Sequence, residues 1–150
     1  MAEIRFYHLV DRPLERVLPQ LLEISLERGW RVVVQAASDD RIEALDAHLW
    51  TYRDDSFLPH GTARGADAAD QPVLLAADDR NLNDANVRFL IDGVPIPQDA
   101  SRYDRLVLIV DGNDEDLVAQ ARMQWTEAKA AGHETSYWQP DENGRWVQKA

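Results

Sequence analysis

Three consecutive valines at residues 32–34, lying between two segments with helical periodicity, constrain the fold of this chain most strongly. β-Branched residues favour strands, and a strand without alternating polar positions is usually covered on both faces, as in a parallel sheet. Before this run, apolar side chains recur at three- and four-residue spacing over residues 13–27, which predicts an amphipathic helix ended by Gly29. After it, Ser38 has the side chain of a helix cap, and the second helix is predicted to end near Trp50.

The same alternation of strand and helix patterns continues along the chain. The predicted strands cover residues 5–9, 31–36, 73–76, 87–91, 105–110 and 135–138, with 145–148 as a further candidate. A third helix is predicted over residues 116–131, and residues 61–71 are predicted to be a loop. Pro19 predicts a kink in the first helix or a helix start at that residue. The alternation predicts one α/β domain over residues 1–150, with three layers and a largely parallel sheet.

Charge and cysteine content narrow the classes of function. The chain has 27 acidic and 16 basic residues, a formal net charge of −11, and no cysteine. A surface this acidic repels phosphate backbones, so direct binding to DNA or RNA is not expected. Zinc–thiolate sites and disulfides are excluded, and no apolar run is long enough to span a bilayer. Because the N-terminus lacks the features of a signal peptide, we expect a cytoplasmic protein without membrane contact.

Motifs for nucleotide binding and catalysis are missing from the predicted strand–helix turns. Neither the turn before Pro13 nor residues 37–39 contain the glycines that let a backbone approach a phosphate. His8 lies at the end of a strand, where catalytic residues occur, but we favour a hydrogen-bonded structural histidine. The acidic turn at residues 111–116 precedes a helix and is interpreted as helix capping rather than a metal site. The sequence thus predicts no enzymatic activity, no cofactor and no metal.

Two groups of aromatic residues indicate binding partners instead. Trp50 and Phe57 lie at the end of the second helix and beyond it, where large aromatic residues are typical of protein interfaces; covering the edge of the core is an equal alternative. On the third helix, four residues form one stripe, namely Val118, Arg122, Trp125 and Lys129. A cation beside an indole suits a ligand with a carboxylate next to an apolar ring. An arginine stacked on a half-exposed tryptophan, without a ligand, is the alternative.

Three segments carry a family pattern: Phe6-Tyr7-His8-Leu9, Ala47-His48-Leu49-Trp50 and Ser56-Phe57-Leu58-Pro59-His60-Gly61. The most specific part is a tryptophan followed, after six residues, by Phe-x-Pro-His. In the C-terminal half, an apolar strand is followed by an Asp-rich turn and a helix that carries Arg-x-x-aromatic and ends in Ala-Gly. In these features nearly the whole chain resembles the chi subunit of the bacterial DNA polymerase III clamp loader, with residues 61–86 the least distinctive.

The resemblance implies a Rossmann-like fold and a replication adaptor without an established catalytic role. Chi proteins bind the psi subunit of the clamp loader and the acidic C-terminal tail of single-stranded DNA-binding protein (SSB), which typically ends in Pro-Phe. By resemblance, Arg122 would hold the terminal carboxylate of that tail, Trp125 would flank its phenyl ring, and Lys129 would add positive charge. Trp50 and Phe57 match aromatic residues of the psi-facing surface.

The sequence departs from the family pattern at two positions near the predicted tail site. Val118 and Thr126 stand where some family members have lysine, so tail binding is expected to be weaker or less sensitive to salt. Not every genome with a chi encodes a psi. Without psi, Trp50 and Phe57 either cover the core or serve another partner, such as a helicase. A nucleotide-binding protein or enzyme on the same fold, using His8 and the Asp residues at the strand ends, is the alternative from a different class.

Overall fold

The computed structural model describes residues 2–52 and 58–150. Its helices and strands are, in chain order, β1 (Glu3–Leu9), α1 (Leu14–Glu27), β2 (Val32–Gln35), α2 (Asp39–Thr51), β3 (Gly61–Thr62), β4 (Val73–Ala76), β5 (Val87–Leu90), β6 (Arg105–Asp111), α3 (Glu115–Ala130), β7 (Glu134–Pro140) and β8 (Trp146–Gln148). Single-turn 3-10 helices lie at Ala68–Asp70 and Ala100–Arg102. No helix in these two ranges is long and apolar enough to cross a lipid bilayer.

The described strands form one sheet in the order β3-β4-β2-β5-β6-β1-β7-β8. Neighbouring strands are parallel except β7 and β8, which are antiparallel. The core divides into two clusters, one between the sheet and α1 with α2, the other between the sheet and α3. This confirms the predicted three-layer α/β fold with a largely parallel sheet.

Helix boundaries follow the predicted local signals. The Ser38 side chain accepts a hydrogen bond from the Arg41 backbone N–H and begins α2. Asp114 accepts from the N–H groups of Asp116 and Leu117 at 3.0 and 3.2 Å, which satisfies donors at the start of α3. Helix capping as the role of the acidic turn is therefore confirmed.

Pro19 lies inside α1, which begins at Leu14, so a helix start at Pro19 is wrong. Proline has no N–H, and the carbonyl of Glu15 four residues earlier therefore lacks its helical donor. His48 of α2 supplies the missing donor, because its Nε2 lies 2.6 Å from the Glu15 oxygen. The carbonyl that Pro19 leaves without a helical donor therefore forms a hydrogen bond between α1 and α2.

The segment at residues 61–71 is not only a loop, as the sequence suggested. Gly61–Thr62 pairs with β4 as a short parallel edge strand, and the Ala63 N–H continues the pairing with the Leu75 carbonyl at 2.9 Å. A two-residue strand without apolar alternation has no periodic signal. It forms because β4 presents backbone groups at its edge that the neighbouring chain can pair.

The sheet contains a buried arginine that sequence periodicity did not indicate. Arg88 of β5 has no solvent exposure. Its guanidinium donates five hydrogen bonds, to the side-chain oxygens of Gln35 and Tyr103 and to the carbonyls of Asp78 and Arg80. These use all five N–H donors of the group, which offsets the cost of burying it. Arg88 thus ties β2, the turn after β4 and the segment before β6 together.

Candidate functional site

The α3 surface, defined here as Val118, Arg122, Trp125 and Lys129 with His8 and Tyr137, lies beside the packed face of the third helix. The packed face itself is made by Ala121, Gln124 and Ala128, which are buried. Val118 and Trp125 are half-buried, whereas Arg122 and Lys129 are exposed. The helical repeat thus places two cations in solvent next to an indole that is anchored in the core.

Aromatic contacts fix the position of Trp125. Its ring meets Phe6 edge-on at a centroid distance of 5.4 Å, and it meets Tyr137 at 6.0 Å with an interplanar angle of 80°. Both are the edge-to-face arrangements that aromatic pairs prefer. The Lys129 ammonium lies 5.0 Å from the indole centroid. Lys129 is therefore the cation over this ring, and not Arg122 as the sequence alternative had it.

His8 and Tyr137 join the surface from the sheet. His8 Nδ1 lies 2.5 Å from the phenolic oxygen of Tyr137. On the other side of the imidazole stands Gly112, where a Cβ atom would lie only 2.4 Å from His8 Nε2 and 2.3 Å from the Leu9 carbonyl. The glycine directly after β6 therefore leaves the space that the imidazole occupies.

The charge of Arg122 acts on both of these groups. Burial, and then the positive charge of Arg122, lower the pKa of His8, while Asp111 opposes them. Burial raises the pKa of Tyr137, and Arg122 acts in the opposite direction. The Arg122 guanidinium itself has no hydrogen-bond or ion-pair partner among residues 2–52 and 58–150. A planar group with free donors beside an aromatic wall is suited to a carboxylate.

Sequence reasoning grouped the four α3 residues but did not include Tyr137, and it favoured a structural role for His8. The pairing of β1 with β7 sets Phe6 opposite Tyr137 and brings Tyr137 to His8. The position of His8 at a strand end was a usable signal. The sequence gives no such signal for Tyr137, because its position beside His8 depends on which strands are neighbours in the sheet.

Trp50, from the second predicted group, lies in the other helical layer. Trp50, in the last turn of α2, is 52 % exposed, and its ring lies 4.7 Å from that of His60. His60 is buried and held by the Leu58 carbonyl at 2.7 Å and the Asp46 carboxylate at 3.0 Å. Phe57 lies outside the described residues. Since α2 and α3 pack on opposite faces of the sheet, Trp50 and the α3 surface do not form one site.

A cleft of about 450 Å³ lies at the carboxyl end of β4, where an α/β fold commonly binds nucleotides. Its charged lining residues are Asp39, Glu43, Asp46, Arg64, Asp78 and Arg80. Both arginines are occupied by carboxylates, Arg64 by Asp39 at 2.6 Å and Arg80 by Asp78 at 2.8 Å. The remaining acidic groups repel a phosphate, so this cleft does not favour the nucleotide-binding alternative.

Fold and surfaces together define an α/β domain with exposed aromatic and cationic side chains in separate helical layers and, within the described residues, no glycine-rich phosphate turn. The sequence model of the family "DNA polymerase III chi subunit, HolC" matches residues 1–136, and the chain belongs to that family. A curated relative, the probable DNA polymerase III subunit chi of Rickettsia prowazekii (strain Madrid E), is 26 % identical over 96 residues. That match covers 64 % of this chain and 58 % of the relative's length.

Family membership confirms the resemblance read from the aromatic motifs. The family is named for a subunit of DNA polymerase III, the enzyme complex of DNA replication.

Proposed function

We propose that the protein is a non-catalytic replication adaptor that connects the polymerase III clamp loader, through psi, to the C-terminal tail of SSB. The observation that carries the proposal is the exposed Arg122 guanidinium, which lacks a partner within the described chain and stands beside the half-buried Trp125. The adaptor contacts SSB and not DNA itself, which agrees with a net charge of −11. Its place of action is the bacterial cytoplasm, where replication occurs.

The tail offers two chemical groups that the α3 surface can hold at once. Arg122 can bind the terminal carboxylate through two parallel N–H···O bonds, which is the geometry that guanidinium favours. The phenyl ring of the last residue can pack against Trp125, whose own orientation is fixed by Phe6 and Tyr137. The indole is therefore in place before the tail binds, and the entropic cost of ordering falls mainly on the Arg122 side chain.

Long-range attraction of the acidic tail depends on few charges. Lys129 contributes one, whereas Val118 is apolar and the Thr126 hydroxyl donates to the Arg122 carbonyl at 3.2 Å. With Arg122 and Lys129 as the cations of α3, the affinity should depend on salt only moderately.

The contact with psi is assigned to the Trp50 surface, with Phe57 beside it in sequence. An indole that is about half exposed and rests on a fixed, buried histidine ring is the kind of anchor that dominates protein interfaces. Where psi is not encoded, another replication partner such as a helicase would use this surface. Because it lies in the other helical layer, both partners can be bound together.

The decisive experiment is a fluorescence anisotropy titration with a labelled SSB tail peptide and with the same peptide lacking its last phenylalanine. We expect saturable binding of the intact peptide only. Arg122→Glu should lower the affinity about 10- to 100-fold, as expected for loss of a charge-assisted hydrogen bond.

Two matched variants show whether the effect is local. Arg102→Glu makes the same charge change at an exposed side chain outside α3, and Trp50→Ser alters the other surface; both should leave tail affinity unchanged. Trp50→Ser should instead lose psi when the complex is purified. Equal affinity of wild type and Arg122→Glu would refute the tail site, and retention of psi by Trp50→Ser would refute the assigned psi surface.

A further inference from the structure

A second cationic and aromatic region lies on the opposite side of the sheet from α3. This Arg–Trp cleft, of about 200 Å³, is bounded by the C-terminal half of α1 and by the sheet. It is defined by Arg5, Arg28, Trp30, Arg105, Trp138 and Trp146. None of the seven residues of β7 is fully buried, so the helical layer leaves this end of the sheet partly uncovered.

Each arginine of the cleft is stacked on a tryptophan. Arg28 and Arg105 lie 5.0 and 4.7 Å from the ring centroid of Trp30, and Arg5 lies 5.0 Å from that of Trp138. Stacking holds a guanidinium plane in place while its edge remains able to donate hydrogen bonds. The cations are therefore positioned before any ligand arrives.

The cleft carries excess positive charge on an acidic protein. Within the described chain, Glu3 is the carboxylate that pairs with Arg5 and Arg105, and Arg28 has no acidic partner. Three guanidinium groups and one carboxylate leave a local charge of two positive units, against −11 for the whole chain. Burial, then the charge of Arg5 and, more weakly, of Arg28, lower the pKa of Arg105. An anionic group would relieve this crowding of like charges.

Apolar surface lies next to these charges. Ile24 of α1 borders the cleft and is 44 % exposed, which is high for a large aliphatic residue. Buried Phe89 and Val107 form the floor of the cleft. The rings of Trp146 and Tyr7 pack edge to face, with 4.6 Å between their centroids. An occupant must therefore offer both acidic groups and an apolar side chain.

From this charge complementarity we infer that the Arg–Trp cleft is a docking site for an acidic peptide segment of a partner protein, bearing an aromatic side chain between its carboxylates. A short acidic segment brings few charges, whereas a nucleic acid strand extends over the surrounding acidic surface and is repelled there. The cleft and the α3 surface lie on opposite faces of the sheet, so this site is independent of the proposed SSB contact.

The test uses a fluorescein-labelled Asp-Asp-Phe-Asp-Asp peptide, capped at both ends so that it has no terminal carboxylate. Its anisotropy should show saturable binding at low ionic strength. Arg28→Ser should weaken that binding about tenfold. Arg16→Ser, the same change at another exposed position of α1, and Arg122→Glu on α3 should not. In two-dimensional NMR spectra the indole signals of Trp138 and Trp146 should shift during the titration, and that of Trp50 should not.

Several results would overturn the inference. Equal affinity in Arg28→Ser, or an equal loss in Arg16→Ser, would show that the cleft does not hold the peptide. Loss in Arg122→Glu alone would assign the peptide to the α3 surface. Tighter, Arg28-dependent binding of a thymidine oligonucleotide would make the occupant a nucleic acid. A dimer in sedimentation that Arg28→Ser dissociates would make it a second copy of the chain.

Discussion

Arg88 and Arg122 lie on the same side of the sheet, yet the structure uses them in opposite ways. Arg88 is fully buried and all its donors are bonded to side-chain and backbone oxygens. Arg122 is exposed and its guanidinium has no partner in the described chain. The supply of acceptors nearby, and not the residue type, therefore decides whether the donors of an arginine are used by the fold or remain available to a ligand.

The largest expected effect is the loss of stability when the buried Arg88 is replaced. Arg88→Met leaves the oxygens of Gln35, Asp78, Arg80 and Tyr103 without their donor in a buried site, and should lower the free energy of unfolding by about 3–5 kcal/mol. Urea denaturation of the wild type and of Arg88→Met measures this difference in free energy of unfolding. Arg64→Gln, which removes an exposed ion pair, should leave the midpoint unchanged.

The tail affinity of folded Arg88→Met should equal that of the wild type, since Arg88 does not contribute to the α3 surface. If Arg88→Met bound the tail peptide more weakly while keeping its stability, the assignment of Arg88 to the fold alone would be wrong.

Trp125 should fall between the two extremes, because it both packs on the core and flanks the proposed tail site. Trp125→Ala removes the edge-on contacts with Phe6 and Tyr137 and should cost about 1–2 kcal/mol of stability. Tail affinity should fall about tenfold. Thermal unfolding and the peptide titration measure the two effects separately, and Trp125→Tyr should recover most of the affinity. If Trp125→Ala lost stability but kept its tail affinity, Trp125 would have a packing role only.

The smallest expected effect is a pH dependence carried by His8. Burial and the charge of Arg122 lower its pKa below the ordinary value of 6.5. A carboxylate bound at Arg122 offsets that charge and raises the pKa, so binding takes up protons and affinity should rise a few-fold as the pH falls from about 7.5 to about 5.5.

The stability of the free protein should change with the opposite sign. Between the folded pKa of His8 and 6.5 the unfolded chain binds more protons, so the contribution of His8 to stability is lost as the pH falls through that window. His8→Gln should flatten both dependences. If the slope of tail affinity persisted in His8→Gln, the titrating group would be on the peptide or elsewhere on the protein.

Much of the fold was available from local patterns. Runs of β-branched, aromatic and apolar residues located the main strands, spacing of three to four residues located the three α-helices of the described chain, and Ser38 and the acidic turn before α3 marked helix starts. The aromatic motifs identified the family over residues 1–136. The two-residue strand β3 was missed, since it results from the exposed edge of its neighbour and not from its own side chains.

Spacing along single segments was enough to locate the main strands, the three α-helices and the stripe on α3, and several short motifs together were enough to indicate the family. Contacts between distant segments were set by the tertiary structure. It joined His8 to Tyr137, which are 129 positions apart, enclosed Arg88 in oxygens, and gathered three arginines and three tryptophans into one cleft. These groupings depend on the order of the strands in the sheet, and strand order is set by the packing of the whole chain rather than by local sequence.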